Sequence, residues 1–259
     1  MALALVETLQ DWVLRSAIRM TGRAHRRYAR PCLMDLHRTA LAAYHDPVAL
    51  LRTHLPPPLR DRALDAVVAE FEPLAAALRE RYDRVPLAFP AAFALADEAA
   101  FVLYALARLL RPRTILESGV ANGHSTYALL HAARANGYGR VHSVDVSPRV
   151  GVLLLDEERA PWSLTLLRRG HEQQDLRALV ASLPPVDLFH HDSLHTYAWQ
   201  SFEFDTVARH SPGALIVSDD ADGSFAFSDH CERTARRPVL LVDERKVFGI
   251  IPRTGSTTL

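Results

Sequence analysis

Lysine is nearly missing from this chain: Lys246 stands alone among thirty basic residues, and no Gly-Lys-Ser or Gly-Lys-Thr occurs. A Walker-type phosphate loop is excluded. A Schiff-base enzyme would have to rely on Lys246. Cysteine is almost as scarce, with only Cys32 and Cys231, far apart in the chain. Two are too few for a disulfide framework or a thiolate zinc site, and a reducing compartment is the expectation. Net charge is absent, because thirty acidic residues balance the thirty basic ones. No whole-molecule field gathers nucleic acid or an anionic membrane, so neither is expected as a partner. The opening MALALVETLQDW holds no long apolar run, since Glu7 and Asp11 interrupt it before it reaches a membrane span or a secretory core. A cytoplasmic location is the expectation.

What the chain has is 49% hydrophobic content over 259 residues, which supplies a large core and excludes global disorder. Up to about residue 91 the apolar positions recur at helical intervals, as in Leu5, Leu9, Trp12 or Val13, and Met20. No strand is expected there. Residues 1–91 read as a helical extension that covers the substrate mouth, contributes to a homodimer interface, or does both. Within it, Pro47 to Leu55 is broken by Pro56, Pro57 and Pro58, and the helix carrying Leu64, Val68 and Phe71 is expected to end or kink at Pro73. Arg15, Arg19, Arg23, Arg26, Arg27 and Arg30 read as a solvated face in a chain whose composition favours arginine. A further helix should run from about Ala92 to Leu110, stopped by Pro112.

After Pro112 the texture changes to short apolar runs, each followed by a turn and a helix-length segment, which marks a parallel sheet with crossover helices. The runs are Thr114 to Leu116, Val141 to Val146, Leu164 to Leu167, Val186 to Phe189 and Ala214 to Val217. Val239 to Val242 and Val247 to Ile251 are separated by only four residues, too few for a crossover, so they form an antiparallel hairpin. The expected fold is α/β: a Rossmann-like sheet of seven strands, five parallel plus the hairpin, in a domain spanning 92–259.

The first strand leads into Glu117-Ser118-Gly119-Val120-Ala121-Asn122-Gly123-His124-Ser125-Thr126 and then a helix. Gly119 and Gly123 let backbone approach a ligand at a helix amino terminus, or simply serve a strand-to-helix turn. Asp145 closes the second strand, where a carboxylate either accepts both hydroxyls of a ribose or caps the turn near Ser147. Strand four ends at Asp192, followed by His195 and Tyr197, and strand five ends at Asp219-Asp220. Carboxyl ends of parallel strands face one crevice, so Asp192, Asp219 and Asp220 can converge there. Converging carboxylates repel unless a cation or proton joins them, and an all-oxygen set suits Mg²⁺, Mn²⁺ or Ca²⁺. Neutral His195 beside them can accept a proton from a hydroxyl. Taken singly, Asp192, Asp219 and Asp220 could each cap a helix or turn instead, and His195 could be a surface histidine. His190 and His191 point to opposite faces of their strand and read as packing histidines. Asp222, Asp229 and His230 follow strand five and are candidates for an acceptor pocket.

The pattern E-x-G-x-x-x-G-x-S-T with the acid after strand two resembles class I S-adenosylmethionine-dependent methyltransferases over about Ala92 to Ile251. That resemblance implies Glu117, Gly119, Gly123 and Ser125 around the amino-acid part of the cofactor, Asp145 at its ribose, and Gly170 and His171 near its adenine. Asp192-x-x-His195-x-Tyr197 with Asp219-Asp220 is similar to the metal-dependent macrocin and cephalosporin-hydroxylase-like O-methyltransferases. It implies metal on Asp192, Asp219 and Asp220, and His195 as base. Ser193 stands where that branch commonly has glycine, and Gly213-Ala214 where it has Gly-Gly. The function expected is metal-assisted O-methylation of a small-molecule hydroxyl, on a sugar or another specialised metabolite. The alternatives are a metal-independent N- or RNA methyltransferase and a non-catalytic cofactor-binding subunit.

Overall fold

The computed structural model describes residues 29–243, 246–256 and 258–259. The periodic segment from Leu5 to Met20, and the arginines from Arg15 to Arg27, lie outside the described residues. The elements are α1 (Leu33–Thr39), β1 (Ala42–Tyr44), α2 (Pro47–His54), α3 (Arg62–Arg84), α4 (Asp97–Leu110), β2 (Thr114–Ser118), α5 (His124–Asn136), β3 (Arg140–Asp145), β4 (Trp162–Leu166), α6 (Glu172–Ser182), β5 (Leu188–His191), α7 (Tyr197–His210), β6 (Leu215–Ser218), α8 (Ala226–Thr234), β7 (Val239–Val242) and β8 (Val247–Ile251).

The strands form one sheet in the order β1-β7-β8-β6-β5-β2-β3-β4, in which only β8 runs antiparallel. This is the expected methyltransferase-type sheet with one strand more. β1 pairs with β7 through Ala42↔Val239 and Tyr44↔Leu241, so the expectation of no strand before residue 92 fails. Three residues are too short to display a period-two pattern, and the pairing partner lies at the far end of the chain.

β2, β5, β6, β7 and β8 are buried at every position, because helices cover both faces. Neighbouring residues on a strand point to opposite layers. Ile115, Leu188, Leu215 and Val217 join a layer with Leu51 of α2, Leu64 of α3, Leu103 of α4 and Leu129 of α5. Leu116, Phe189 and Ile216 join the other, with Leu176 of α6, Phe204 of α7 and Phe227 of α8. Residues on both sides of position 92 thus share one layer.

α3 does not end at Pro73, which sits inside it. Proline removes the hydrogen bond to the Ala69 carbonyl, but both residues are exposed and water can serve that oxygen. On the inner side Leu64, Val67 and Leu78 are buried, with Phe71 and Leu74 packed against the same layer. Arg108 of α4 makes a two-pronged contact with Glu70 of α3 at 2.8 and 2.9 Å, and packing with pairing outweighs the proline. α4 stops as expected, with Arg111 in the left-handed region (φ +52°) just before Pro112.

Candidate active site

A cavity of about 1120 Å³ opens where the carboxyl ends of β2, β3, β5 and β6 meet. Its floor is the turn after β2. Gly119 has φ +87°, and a β-carbon there would lie 2.0 Å from the Asp192 carbonyl oxygen. Only glycine lets that turn and the end of β5 touch. Asn122 straps the preceding segment over the turn: its carboxamide oxygen accepts from the Ala88 and Phe89 N–H groups at 3.1 Å, and its amide donates to the Phe89 carbonyl at 2.9 Å. Phe89 and Phe93 thereby reach the cavity wall from residues before α4.

Gly119, Asp145, His171, Asp192, His195, Asp219 and Asp220, all singled out from sequence, line this one cavity. Three of the residues expected around the cofactor, Glu117, Gly123 and Ser125, do not line it. Glu117 is fully buried and accepts from Ser125 Oγ and Thr126 Oγ1 at 2.7 Å and from Ser143 Oγ at 2.6 Å. Its carboxylate ties β2, β3 and α5 together beneath the floor, and Ser125 spends its hydroxyl on that bond. Gly123 (φ +99°) starts α5, packed against Gly151 and Leu154. Asp145 caps the turn, accepting from the Val120 N–H at 3.0 Å and the Ser147 N–H at 2.9 Å, and its side chain also borders the cavity.

The three aspartates line the same cavity. His195 lies between two of them, Nδ1 at 3.5 Å from Asp220 Oδ2 and Nε2 at 3.9 Å from Asp192 Oδ1. Burial and the charge of Asp219 push the Asp192 carboxyl well above its usual range, and the same two causes raise Asp220. Burial, then His191, Lys246, His190 and Arg30, bring His195 down to about 3, so its imidazole is neutral. Asp220 itself has φ +43°, a strained backbone that carries two consecutive carboxylates past the end of β6.

The cation among these carboxylates is Lys246. Its Nζ lies 2.7 Å from Asp219 Oδ2 and 4.0 Å from Asp220 Oδ1. Burial lowers the Lys246 pKa, but the charges of Asp219, Asp220 and Asp192 outweigh that and raise it, so the ammonium stays protonated. Among the described residues no three His, Cys, Asp or Glu side chains are grouped to hold a metal ion. The expected Mg²⁺, Mn²⁺ or Ca²⁺ on Asp192, Asp219 and Asp220 does not fit this arrangement, because Lys246 already engages the central carboxylate.

Behind the site, His191 Nδ1 meets Glu203 at 2.5 Å, and Glu203 also accepts from Ser118 Oγ and, at 3.0 Å, from Ser193 Oγ. Trp199, on the cavity wall, donates to Ser193 Oγ at 3.1 Å. Ser193 therefore belongs to a buried network fixing the loop between Asp192 and His195. His190 is fully buried, but neither ring nitrogen has a hydrogen-bond partner; its Nδ1 lies 3.8 Å from Glu117 Oε1. Asp222 accepts from the Val247 N–H, Asp229 accepts from Tyr197 at 2.8 Å, and His230 is buried; none of the three lines the cavity. The sequence reading missed Lys246, Asn122, Glu203 and Trp199. Only Lys246 carried a signal, as the one lysine in a chain that otherwise uses arginine.

Residues 116–221 match the family model described as a methyltransferase domain. Similar solved structures include TomG of Streptomyces achromogenes, an O-methyltransferase involved in tomaymycin synthesis and solved with SAM, at 19% identity over 71% of this chain and 90% of that one, TM-score 0.52. An O-methyltransferase of Bacillus cereus solved with SAH is 17% identical over 68% and 89%, TM-score 0.50. The SAH-bound methyltransferase PaMTH1 of Podospora anserina is 15% identical over 76% and 98%, TM-score 0.51. No curated protein matches. The chain has the α/β methyltransferase fold, and among the described residues no helix is long and apolar enough to cross a membrane.

Proposed function

We propose that this protein transfers a methyl group from S-adenosylmethionine to the hydroxyl of a small molecule, a sugar or another specialised metabolite. The observation that carries the reading is that the Gly119 turn, Asp145 and neutral His195 border one cavity. The likeness of the fold to O-methyltransferases solved with SAM or SAH supports it. Asp145 is placed to accept from ribose hydroxyls, and the Gly119 turn sits at the amino end of α5, where backbone N–H groups favour a carboxylate. His171 stands beside Val146 and Leu167 on the wall suited to the adenine.

Bound there, the cofactor supplies a sulfonium methyl: the acceptor oxygen forms the new C–O bond while the C–S bond breaks and its electron pair returns to sulfur. His195 takes the hydroxyl proton, with Asp220 holding its Nδ1 side. Phe93, Val146 and Leu194 line the cavity with apolar side chains, which suits a reaction whose charges cancel. The cavity exceeds the roughly 1,000 Å³ that bounds most single-ligand pockets, so cofactor and a small acceptor fit together.

The test combines calorimetric titration with S-adenosylhomocysteine and transfer of labelled methyl into a small-molecule extract. His195→Ala should keep nucleoside affinity and lose about 10²- to 10⁴-fold in turnover. A chain that does not bind the nucleoside cannot have this function.

A further inference from the structure

We infer that Lys246 is the built-in cation of this site, its ammonium standing where a divalent ion would join Asp192, Asp219 and Asp220, so that transfer here proceeds without metal. The inference rests on the methyltransferase reading for its chemistry, but the placement of the charge stands apart from it.

Geometry comes first. The ammonium bonds the most buried of the three carboxylates, Asp219, at 2.7 Å and lies 4.0 Å from Asp220, while Asp192 stands farther off. The buried Asp219 carboxylate needs a positive partner. Lysine provides one without release of bound water or dependence on ion supply.

The position of that ammonium is fixed by the sheet. Lys246 closes the turn between β7 and β8, where its N–H donates to Asp243 Oδ1 at 2.8 Å and its carbonyl accepts from the Asp243 N–H at 3.1 Å. Val247, the next residue, is held by Asp222 Oδ1 at 3.2 Å and by the Ala221 N–H at 2.7 Å. β8 lies between β6 and β7, so the side chain projects from the middle of the sheet over the end of β6.

Residue type agrees. The other twenty-nine basic residues are all arginine. A planar guanidinium bonds carboxylates edge-on through a fork, whereas an ammonium is a compact point charge with three rotatable donors. A site that must bond one buried carboxylate with a second nearby, and keep a donor for an acceptor oxygen, is served by the second kind. Lys246 borders the cavity and is only partly exposed, so a donor not spent on Asp219 can face an acceptor hydroxyl opposite His195. It acts there as a positioning residue: it holds the acceptor oxygen and balances the negative charge that forms on it as the proton passes to His195.

The experiment titrates Mn²⁺ into the chelator-treated full chain and reads free ion by electron paramagnetic resonance. The wild type should take up no stoichiometric Mn²⁺. Lys246→Ala, which empties the cation position, should bind about one equivalent, and adding Asp219→Asn should abolish that uptake. Lys246→Met, which keeps the stem and removes the charge, serves as the second variant and should bind S-adenosylhomocysteine within a few-fold of wild type. Labelled methyl transfer by the wild type should be unchanged in excess chelator. One equivalent of Mn²⁺ on the wild type, lost in Asp219→Asn, overturns the inference, as does a folded Lys246→Ala that takes up none. Failure of the nucleoside to bind would instead remove the methyltransferase reading, leaving the Mn²⁺ titration to decide the cation.

Discussion

Gly119 and the Asp192 carbonyl touch so closely that a β-carbon on the glycine would lie 2.0 Å from the oxygen and 2.6 Å from the carbon behind it. This contact joins the turn after β2 to the end of β5, just before His195, and it is backbone on both sides. The neighbouring bond from the Asp192 N–H to the Ser118 carbonyl, at 2.8 Å, holds the two segments in that register.

Gly119→Ala must therefore move a strand end, and it also places alanine at φ +87°. Left-handed strain and the clash together should cost at least about 2 kcal/mol, lowering the melting midpoint by roughly 4–8 °C. S-adenosylhomocysteine affinity should fall with it. An alanine variant with wild-type midpoint and affinity would show that the turn is not held against β5 in solution.

Much of this site was legible in the sequence because parallel strands deliver their carboxyl ends to one edge. Once Thr114, Val141, Val186 and Ala214 were recognised as opening such strands, Asp145, Asp192 and Asp219 had to meet. Glu117 was harder. Its place in the motif is adjacent to the cavity floor, but a residue near the end of a strand points to one face or the other, and three hydroxyls, two from α5 and one from β3, draw it inward. Lys246 stood out only as the one lysine: nothing local in Asp243-Glu244-Arg245-Lys246 tells which turn residue reaches across to β6. β1 escaped because its three residues become a strand only when β7 offers them an edge.

Glu158 gives a pH-dependent stability that can be measured without knowing the acceptor. Burial alone would raise its pKa, but Arg81 at 2.7 Å through two bonds, the Leu155 N–H and His131 together bring it down to about 2. The folded value lies below the unfolded one of about 4.5, so the carboxylate stabilises the fold above pH 4.5 and that contribution is lost as pH falls toward 2. The shift corresponds to about 3 kcal/mol. Glu158→Gln should accordingly destabilise strongly at pH 7, and the difference from wild type should shrink steadily from pH 5 to pH 3 in urea melts. A gap independent of pH would assign the pairing no role in stability.

Gly223 couples backbone geometry to the proposed base. A β-carbon there would lie 2.9 Å from the Asp220 carbonyl oxygen and 2.9 Å from His195 Cβ, closer than non-bonded carbons approach in either direction. The Asp220 carbonyl accepts from the Gly223 N–H at 2.7 Å, so the turn cannot open easily, and the side that must yield is the loop bearing His195. Displacing that loop by a fraction of an ångström tilts the imidazole away from Asp220 and from the acceptor oxygen, while the Gly119 turn and Asp145 lie on other strands and stay where they are. Gly223→Ala should thus lower kcat by on the order of tenfold to a hundredfold, as misplaced reacting groups do, with S-adenosylhomocysteine affinity within a few-fold of wild type. Equal losses in turnover and nucleoside affinity would mean that the loops after β5 and β6 move together with the cofactor turn, and His195 would then lose its standing as a separately positioned base.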